Sequence, residues 1–182
     1  MKILQTSSVA FNHLTKNGTD MGEFTHIISI CCPDDNIKPI NKNHLVIKIW
    51  DVDEDLENKF RKYKAPTEKD LQPIVNNVSK WIEKYGWNLN ILIHCDAGIS
   101  RSTAIALACV WYISSFFFAS FVYENCLKDY IRVRKEFCAS LIETRYDKLL
   151  KWYIEGKNLM RGAKPNQAIL KYYRKTMHLF PW

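Results

Sequence analysis

Three runs of β-branched and apolar residues, THIISICC (25–32), HLVIKIWDV (44–52) and NILIHC (90–95), constrain the fold more than any other feature of this chain. None shows the clean alternation of a strand with one wet face. Near-continuous apolar strands belong to parallel sheets covered on both sides. Residues 2–6 are compatible with a further strand at an edge. Between the second and third runs, Leu71, Ile74, Val75, Val78, Trp81 and Ile82 recur with the helical period. Pro66-Thr67 opens that helix, Glu68 and Asp70 place negative charge in its first turn, where the dipole favours it, and Gly86 closes it. Strand, helix, strand requires a crossover and therefore parallel neighbours. From Thr103 onward the pattern is helical. The expected class is α/β: a central, mostly parallel sheet of about four strands flanked by helices, with an all-helical second half.

Length and composition set wider bounds. At 182 residues, with 47% hydrophobic and 25% charged residues, the chain suits one domain spanning 1–182. No repeat, low-complexity tract or linker divides it. The formal charge of +7 favours anionic partners such as phosphate esters, nucleic acid or an acidic protein. The basic cluster Arg132-Val133-Arg134-Lys135 reads as a solvated helix face. Six cysteines occur without a CxxC pair or a zinc-type Cys–His spacing, and MKILQTSSVAFNHL has too short an apolar run for a secretory leader. Reduced thiols and a cytoplasmic location are expected, with the sequons at Asn17 and Asn77 silent. The uncharged stretch from Thr103 to Tyr123 is long enough to span a bilayer. Arg101 directly before it, Ser114-Ser115 within it and the lack of a second span favour a buried core helix followed by another apolar helix, with no membrane span.

The chemistry is concentrated in residues 91–105, ILIHCDAGISRSTAI. Cys95 ends a strand, and Asp96-Ala97-Gly98-Ile99-Ser100 turn directly into a helix that starts near Arg101. Parallel sheets place their ligand sites at the carboxyl ends of strands. Backbone N–H groups wrapped before a helix N-terminus converge on an anion, and the helix dipole favours negative charge there, including a cysteine thiolate. Gly98 allows the tight curl this needs. The planar guanidinium of Arg101 can grip two phosphoryl oxygens at once, which a lysine cannot. A thiolate under an arginine clamp is a site for in-line attack on phosphorus. A cysteine and an arginine at this spacing would mean little by themselves among six cysteines. The whole string of strand, His-Cys, loop glycine, Arg, Ser-Thr and helix is far more restrictive.

HCDAGISRST resembles the signature loop of the cysteine-dependent protein-tyrosine phosphatases, and its AGISRS core the dual-specificity branch. LQTSSVAF, THIISICCPDD, HLVIKIWDVDED, APTEKDL and GAKPNQAIL resemble, in order, a compact tyrosine-phosphatase-like family common in bacteria. The likeness covers most of the chain except roughly 114–146, which reads as an expanded helical segment. The resemblance implies a phosphatase acting on phosphotyrosine in phosphorylated protein substrates, with action on phosphoserine or phosphothreonine left open, and with no cofactor and no metal. It implies Cys95 as the nucleophile that forms a phosphocysteine, with Arg101 and the backbone of Asp96, Ala97, Gly98, Ile99 and Ser100 holding the phosphoryl group. Ser102 would hydrogen-bond the sulfur and ease its departure, and His94 would order the loop rather than act as a base. The general acid of such enzymes is an aspartate after an upstream strand. IWDVDEDLE offers Asp51, Asp53 and Asp55, of which Asp51 follows the strand most directly and shares parity with Leu45, Ile47 and Ile49. Two readings stand for Cys31: a redox partner of Cys95, as in some relatives, or, with Cys32, a pair of small core thiols. Asn166 is read as the cap of a closing, core-packing helix. Asp96 and the lack of lysine between Cys95 and Arg101 disfavour polyanionic substrates. An RNA 5′-triphosphatase of the same fold remains the alternative enzyme, although no aromatic-interleaved basic stripe supports nucleic acid. A non-catalytic phospho-residue binding module is the alternative outside catalysis, and the intact Cys95 and Arg101 speak against it.

Overall fold

A computed structural model of the protein describes residues 2–16, 24–57, 62–122, 142–144 and 164–176. The apolar runs form parallel strands, as their composition requires. In chain order the elements are β1 (Lys2–Ser7), α1 (Ser8–Lys16), β2 (His26–Cys31), β3 (His44–Lys48), a two-residue hairpin β4 (Leu56–Glu57) and β5 (Lys62–Tyr63), and α2 (Glu68–Tyr85). They continue with β6 (Asn90–Cys95), α3 (Arg101–Val122), β7 (Ile142–Thr144) and α4 (Gln167–Thr176). One sheet runs in the order β3-β2-β6-β1-β7, and every neighbouring pair in it is parallel.

The expected parallel sheet of about four strands is present and holds five. Three details differ from expectation. The additional strand, β7, lies in the half expected to be all helical, within the 114–146 segment. Because β7 pairs with β1, β1 is not an edge strand; it lies between β6 and β7. The apolar stretch after Thr103 is one continuous helix through Ser114-Ser115 rather than two. The basic cluster at 132–135 and most of 114–146 lie outside the described residues.

Strand parity assigns each buried side chain to one of two layers. Ile27 and Leu92 pack with Phe11 of α1 on one face. Ile28, Ile30, Ile91, Ile93 and Cys95 pack on the other, against α2, α3 and α4. The α2 residues Leu71, Ile74, Val78, Trp81 and Ile82 are buried as their spacing implies, each stabilising the fold by about 1.5–3 kcal/mol for the aliphatic ones. Asp70 accepts hydrogen bonds from the backbone N–H of Thr67 (2.9 Å) and from its hydroxyl (2.6 Å), which closes the N-terminus of α2. Gly86, at φ +50, donates its N–H to Ile82 and ends the helix. From Ala104 to Val110, α3 is buried on all sides, as suits an apolar helix covering the centre of a sheet. Among the described residues, no helix is long and apolar enough to cross a membrane.

His26 begins β2, buried with its ring 4.4 Å from Trp81 and 4.7 Å from Tyr85. Burial, and then the positive charge of Lys84, push its pKa from 6.5 down to about 4. Between those values the unfolded chain takes up a proton that the folded chain refuses, so stability falls as the pH drops through that window. His26→Phe removes this contribution, worth about 3 kcal/mol over the full window. Urea unfolding at neutral and mildly acidic pH should therefore show a smaller acid loss of stability in His26→Phe than in the wild type.

Candidate active site

The parallel strands end along one edge, and β6 brings Cys95 there, paired in register with Ser7 at the end of β1. The five residues that follow are held from two sides. On the β1 side, the Ser8 N–H donates to the Asp96 carbonyl at 3.0 Å. Gly98 sits at φ +68, and a Cβ there would stand 2.8 Å from the Thr6 carbonyl and the Ser7 nitrogen, so only glycine fits. On the other side, the Lys164 and Asn166 N–H groups donate to the carbonyls of Ile99 (3.2 Å) and Ser100 (3.4 Å). The chain then enters α3 at Arg101, with the loop backbone at the positive end of the helix dipole.

Arg101 is 3% exposed. Its Nη1 donates to the Ile49 carbonyl at 3.0 Å and lies 3.5 Å from Cys32 Sγ. Its Nε is 3.6 Å from Asp51 Oδ2 and its Nη2 is 3.9 Å from Asp96 Oδ2. Among the described residues that buried Nε has no hydrogen-bond partner. Cys95 Sγ lies 3.1 Å from Ser102 Oγ in the first turn of α3.

The three candidate aspartates separate cleanly. Asp51 Oδ1 accepts from Ser100 Oγ at 2.5 Å and from Asn166 Nδ2 at 3.3 Å, which puts this carboxylate against the loop. Asp53 Oδ1 accepts from the Gln167 N–H (2.6 Å) and the Ala168 N–H (3.4 Å), where it caps α4. Asp55 Oδ1 accepts from the Ala65 N–H at 2.8 Å and braces the turn after β5. Asn166 does cap α4, accepting from the Ile169 N–H at 3.0 Å, and it also holds Asp51 and the Val52 carbonyl. That second role was not visible in the sequence.

His94 lies beside Cys95 in sequence but on the opposite face of the sheet, stacked on Phe11 at 3.9 Å between ring centroids. The Ile40 N–H donates to His44 Nδ1 at 3.1 Å, which leaves the His44 proton on Nε2. That nitrogen is 2.6 Å from Ser29 Oγ, which is in turn 2.6 Å from His94 Nε2. The chain of donors therefore runs from His44 through the Ser29 hydroxyl to His94, and His94 carries its proton on Nδ1. Burial, and then His44, lower the His94 pKa to about 4, so the ring is neutral near pH 7 and serves packing. Cys31 points its thiol at the Ile47 carbonyl, 3.7 Å away, and burial pushes its pKa up. Cys32 is the neighbour of Arg101. Both are free thiols, as are Cys95 and Cys109.

Sequence reasoning missed Gln5. This residue of β1 is 1% exposed, and its Nε2 donates to the Gly98 carbonyl and to Ser102 Oγ, each at 2.8 Å. The signal was a lone amide within an apolar strand. Gly98→Ala tests the loop itself: the left-handed backbone alone costs about 1–3 kcal/mol in a non-glycine residue, before the collision with β1. Its denaturation midpoint should fall, and binding of vanadate, an anion of phosphoryl shape, should be lost in titrations that saturate the wild type.

Comparison of the sequence with curated proteins produced no match. Among solved structures the chain is similar to OH1, a tyrosine phosphatase from the Orf virus, with a TM-score of 0.50 and 16% identity over 97% of this chain and 83% of that one. It is also similar to the human tyrosine phosphatase-like serine/threonine/tyrosine-interacting protein, with a TM-score of 0.46 and 19% identity over 96% of this chain and 86% of that one. At 16% identity the viral protein speaks for the fold and not for the substrate. The sequence itself matches the dual specificity phosphatase catalytic domain over residues 9–146. The chain belongs to that family and is a cysteine-dependent protein phosphatase, a phosphoric monoester hydrolase.

Proposed function

We propose that the protein hydrolyses phosphotyrosine, and also phosphoserine or phosphothreonine, in proteins through a phosphocysteine intermediate on Cys95. One observation carries the reading: Cys95, the buried Arg101 and Asp51 meet at a single loop, although they come from three different elements.

The phosphoryl group would rest on the backbone of Asp96 to Arg101, with the Arg101 guanidinium on its oxygens; the buried Nε is a donor suited to that task. The Cys95 thiolate attacks phosphorus in line. As the S–P bond forms, the bond to the substrate oxygen breaks and Asp51 gives that oxygen its proton, releasing the phenol or alcohol. Asp51, now a carboxylate, takes a proton from water, whose oxygen attacks phosphorus. The S–P bond breaks, inorganic phosphate leaves and the thiolate is restored. Ser102 donates to the sulfur and so favours its departure. Ser100 and Asn166 aim Asp51 at the leaving oxygen.

Asp96 shapes selectivity. Its carboxylate is 71% exposed at the rim and 3.9 Å from the guanidinium, where it repels additional negative charge on a substrate. A phosphorylated side chain with few neighbouring anions suits such a mouth better than a polyphosphate.

With a generic aryl phosphate as substrate, Cys95→Ser should abolish turnover, and Asp51→Asn should lower kcat by about 10²–10⁴. Asp53→Asn should leave kcat near the wild-type value and keep an acceptor for α4, whereas Asp53→Ala should lower stability by about 1 kcal/mol through loss of that cap. Turnover that survives Cys95→Ser would refute the phosphocysteine. A collapse of kcat in Asp53→Asn, with Asp51→Asn active, would reassign the acid.

A further inference from the structure

We propose that Gln5 is a positioning residue for the reaction: its side-chain amide directs the proton of the Ser102 hydroxyl onto the sulfur of Cys95. The inference rests on the phosphocysteine reading above and adds to it a residue from β1, 97 positions before Ser102.

The argument is one of donors and acceptors. The Gly98 carbonyl can only accept, so the Gln5 atom 2.8 Å from it is the NH₂ group. The same nitrogen is 2.8 Å from Ser102 Oγ. An amide nitrogen has no lone pair to offer, so its second N–H points at that oxygen and Ser102 must accept there. The proton of Ser102 is then left for another acceptor, and Cys95 Sγ lies 3.1 Å away. Gln5 also competes for the alternative. A serine in a helix often donates to the carbonyl four residues back. For Ser102 that carbonyl belongs to Gly98, where the Gln5 amide already takes one of the two lone pairs. Gln5, Ser102 and Cys95 are all buried, so bulk water does not scramble the direction of the chain. An amide inside an apolar strand costs desolvation free energy unless it is hydrogen-bonded, and here both N–H groups are used on the loop.

A hydroxyl proton fixed on the sulfur stabilises the thiolate both before attack and as it leaves the phosphoenzyme. Gln5 is assigned its effect through Ser102, to which it donates. Its loss should therefore appear in kcat rather than KM, and only where Ser102 is present.

The test is a double-mutant cycle on the full chain. Gln5→Met keeps length without donors. Gln5→Glu keeps shape, but a carboxyl oxygen carries at most one proton and cannot donate to both Gly98 and Ser102. Each is made with Ser102 intact and with Ser102→Ala. Two quantities are read: kcat and KM on an aryl phosphate, and the rate of Cys95 alkylation by iodoacetamide at mildly acidic pH, followed on the Cys95 peptide.

With Ser102 present, either variant should lower kcat about tenfold, the scale of one hydrogen bond to a charged group, and slow alkylation, with KM unchanged. In the Ser102→Ala background the same change should alter kcat by less than about twofold. Equal losses in both backgrounds would overturn the proposal and assign Gln5 to packing of the loop. So would unchanged kcat and alkylation beside an active wild type. If Gln5→Met does not fold, the isosteric Gln5→Glu carries the comparison. Failure of the underlying reading looks different: a wild type that turns over no aryl phosphate, with Cys95 alkylated no faster than in urea.

Discussion

A permanently charged guanidinium, almost wholly out of contact with solvent, sits at the start of α3, and the carboxyl edge of the sheet is organised around keeping it there. Arginine cannot escape burial by losing its proton, so the surrounding structure must supply acceptors. The last carbonyl before Trp50 provides one, and two carboxylates from different loops stand within 4.0 Å. The charge that would receive a phosphoryl oxygen is thus the charge that draws Asp51 toward the loop. Charge pairing brings Asp51 and Asp96 to the Arg101 guanidinium beside the Cys95 loop, and hydrogen bonds from Ser100 and Asn166 fix the Asp51 carboxylate there.

Parity along β6 divides labour between two adjacent residues. Cys95 faces the layer of α2, α3 and α4, whereas His94 turns to the layer of α1, where Phe11, Ser29 and His44 enclose it. A histidine beside a nucleophilic cysteine invites assignment as its base. The strand makes that impossible, because consecutive side chains point to opposite faces. What His94 does instead is fill the second layer under the loop with a neutral ring whose hydrogen bonding reaches to β3.

Much of this was legible in the residues alone. Continuous apolar runs announced parallel strands, and the spacing from Leu71 to Ile82 announced α2, because burial on both faces or on one stripe leaves a periodic record. Cys95 and Arg101 could be read from a string whose every member has a physical task. Among Asp51, Asp53 and Asp55 the sequence favoured Asp51 only by its nearness to the strand, since alternate positions share parity, and the N-terminus of α4 that claims Asp53 comes more than a hundred residues later. The place of β1 in the sheet was misjudged for a related reason: its second neighbour, Ile142–Thr144, is too short to show a period. Gln5 was visible only as an oddity, because its partners lie more than ninety residues away along the chain.

The loop that carries Cys95 is bounded on one side by residues 5–8 and on the other by residues 164–166. Neither flank lies near it in sequence. A nascent chain that ends with α3 carries the motif but lacks Lys164 and Asn166, which hold the far side of the loop and the Asp51 carboxylate. The loop gains its second flank only once the chain has reached the start of α4. A cleavage between the motif and α4 would leave the signature residues intact in sequence and sever the covalent tie to the residues that hold the loop's second side.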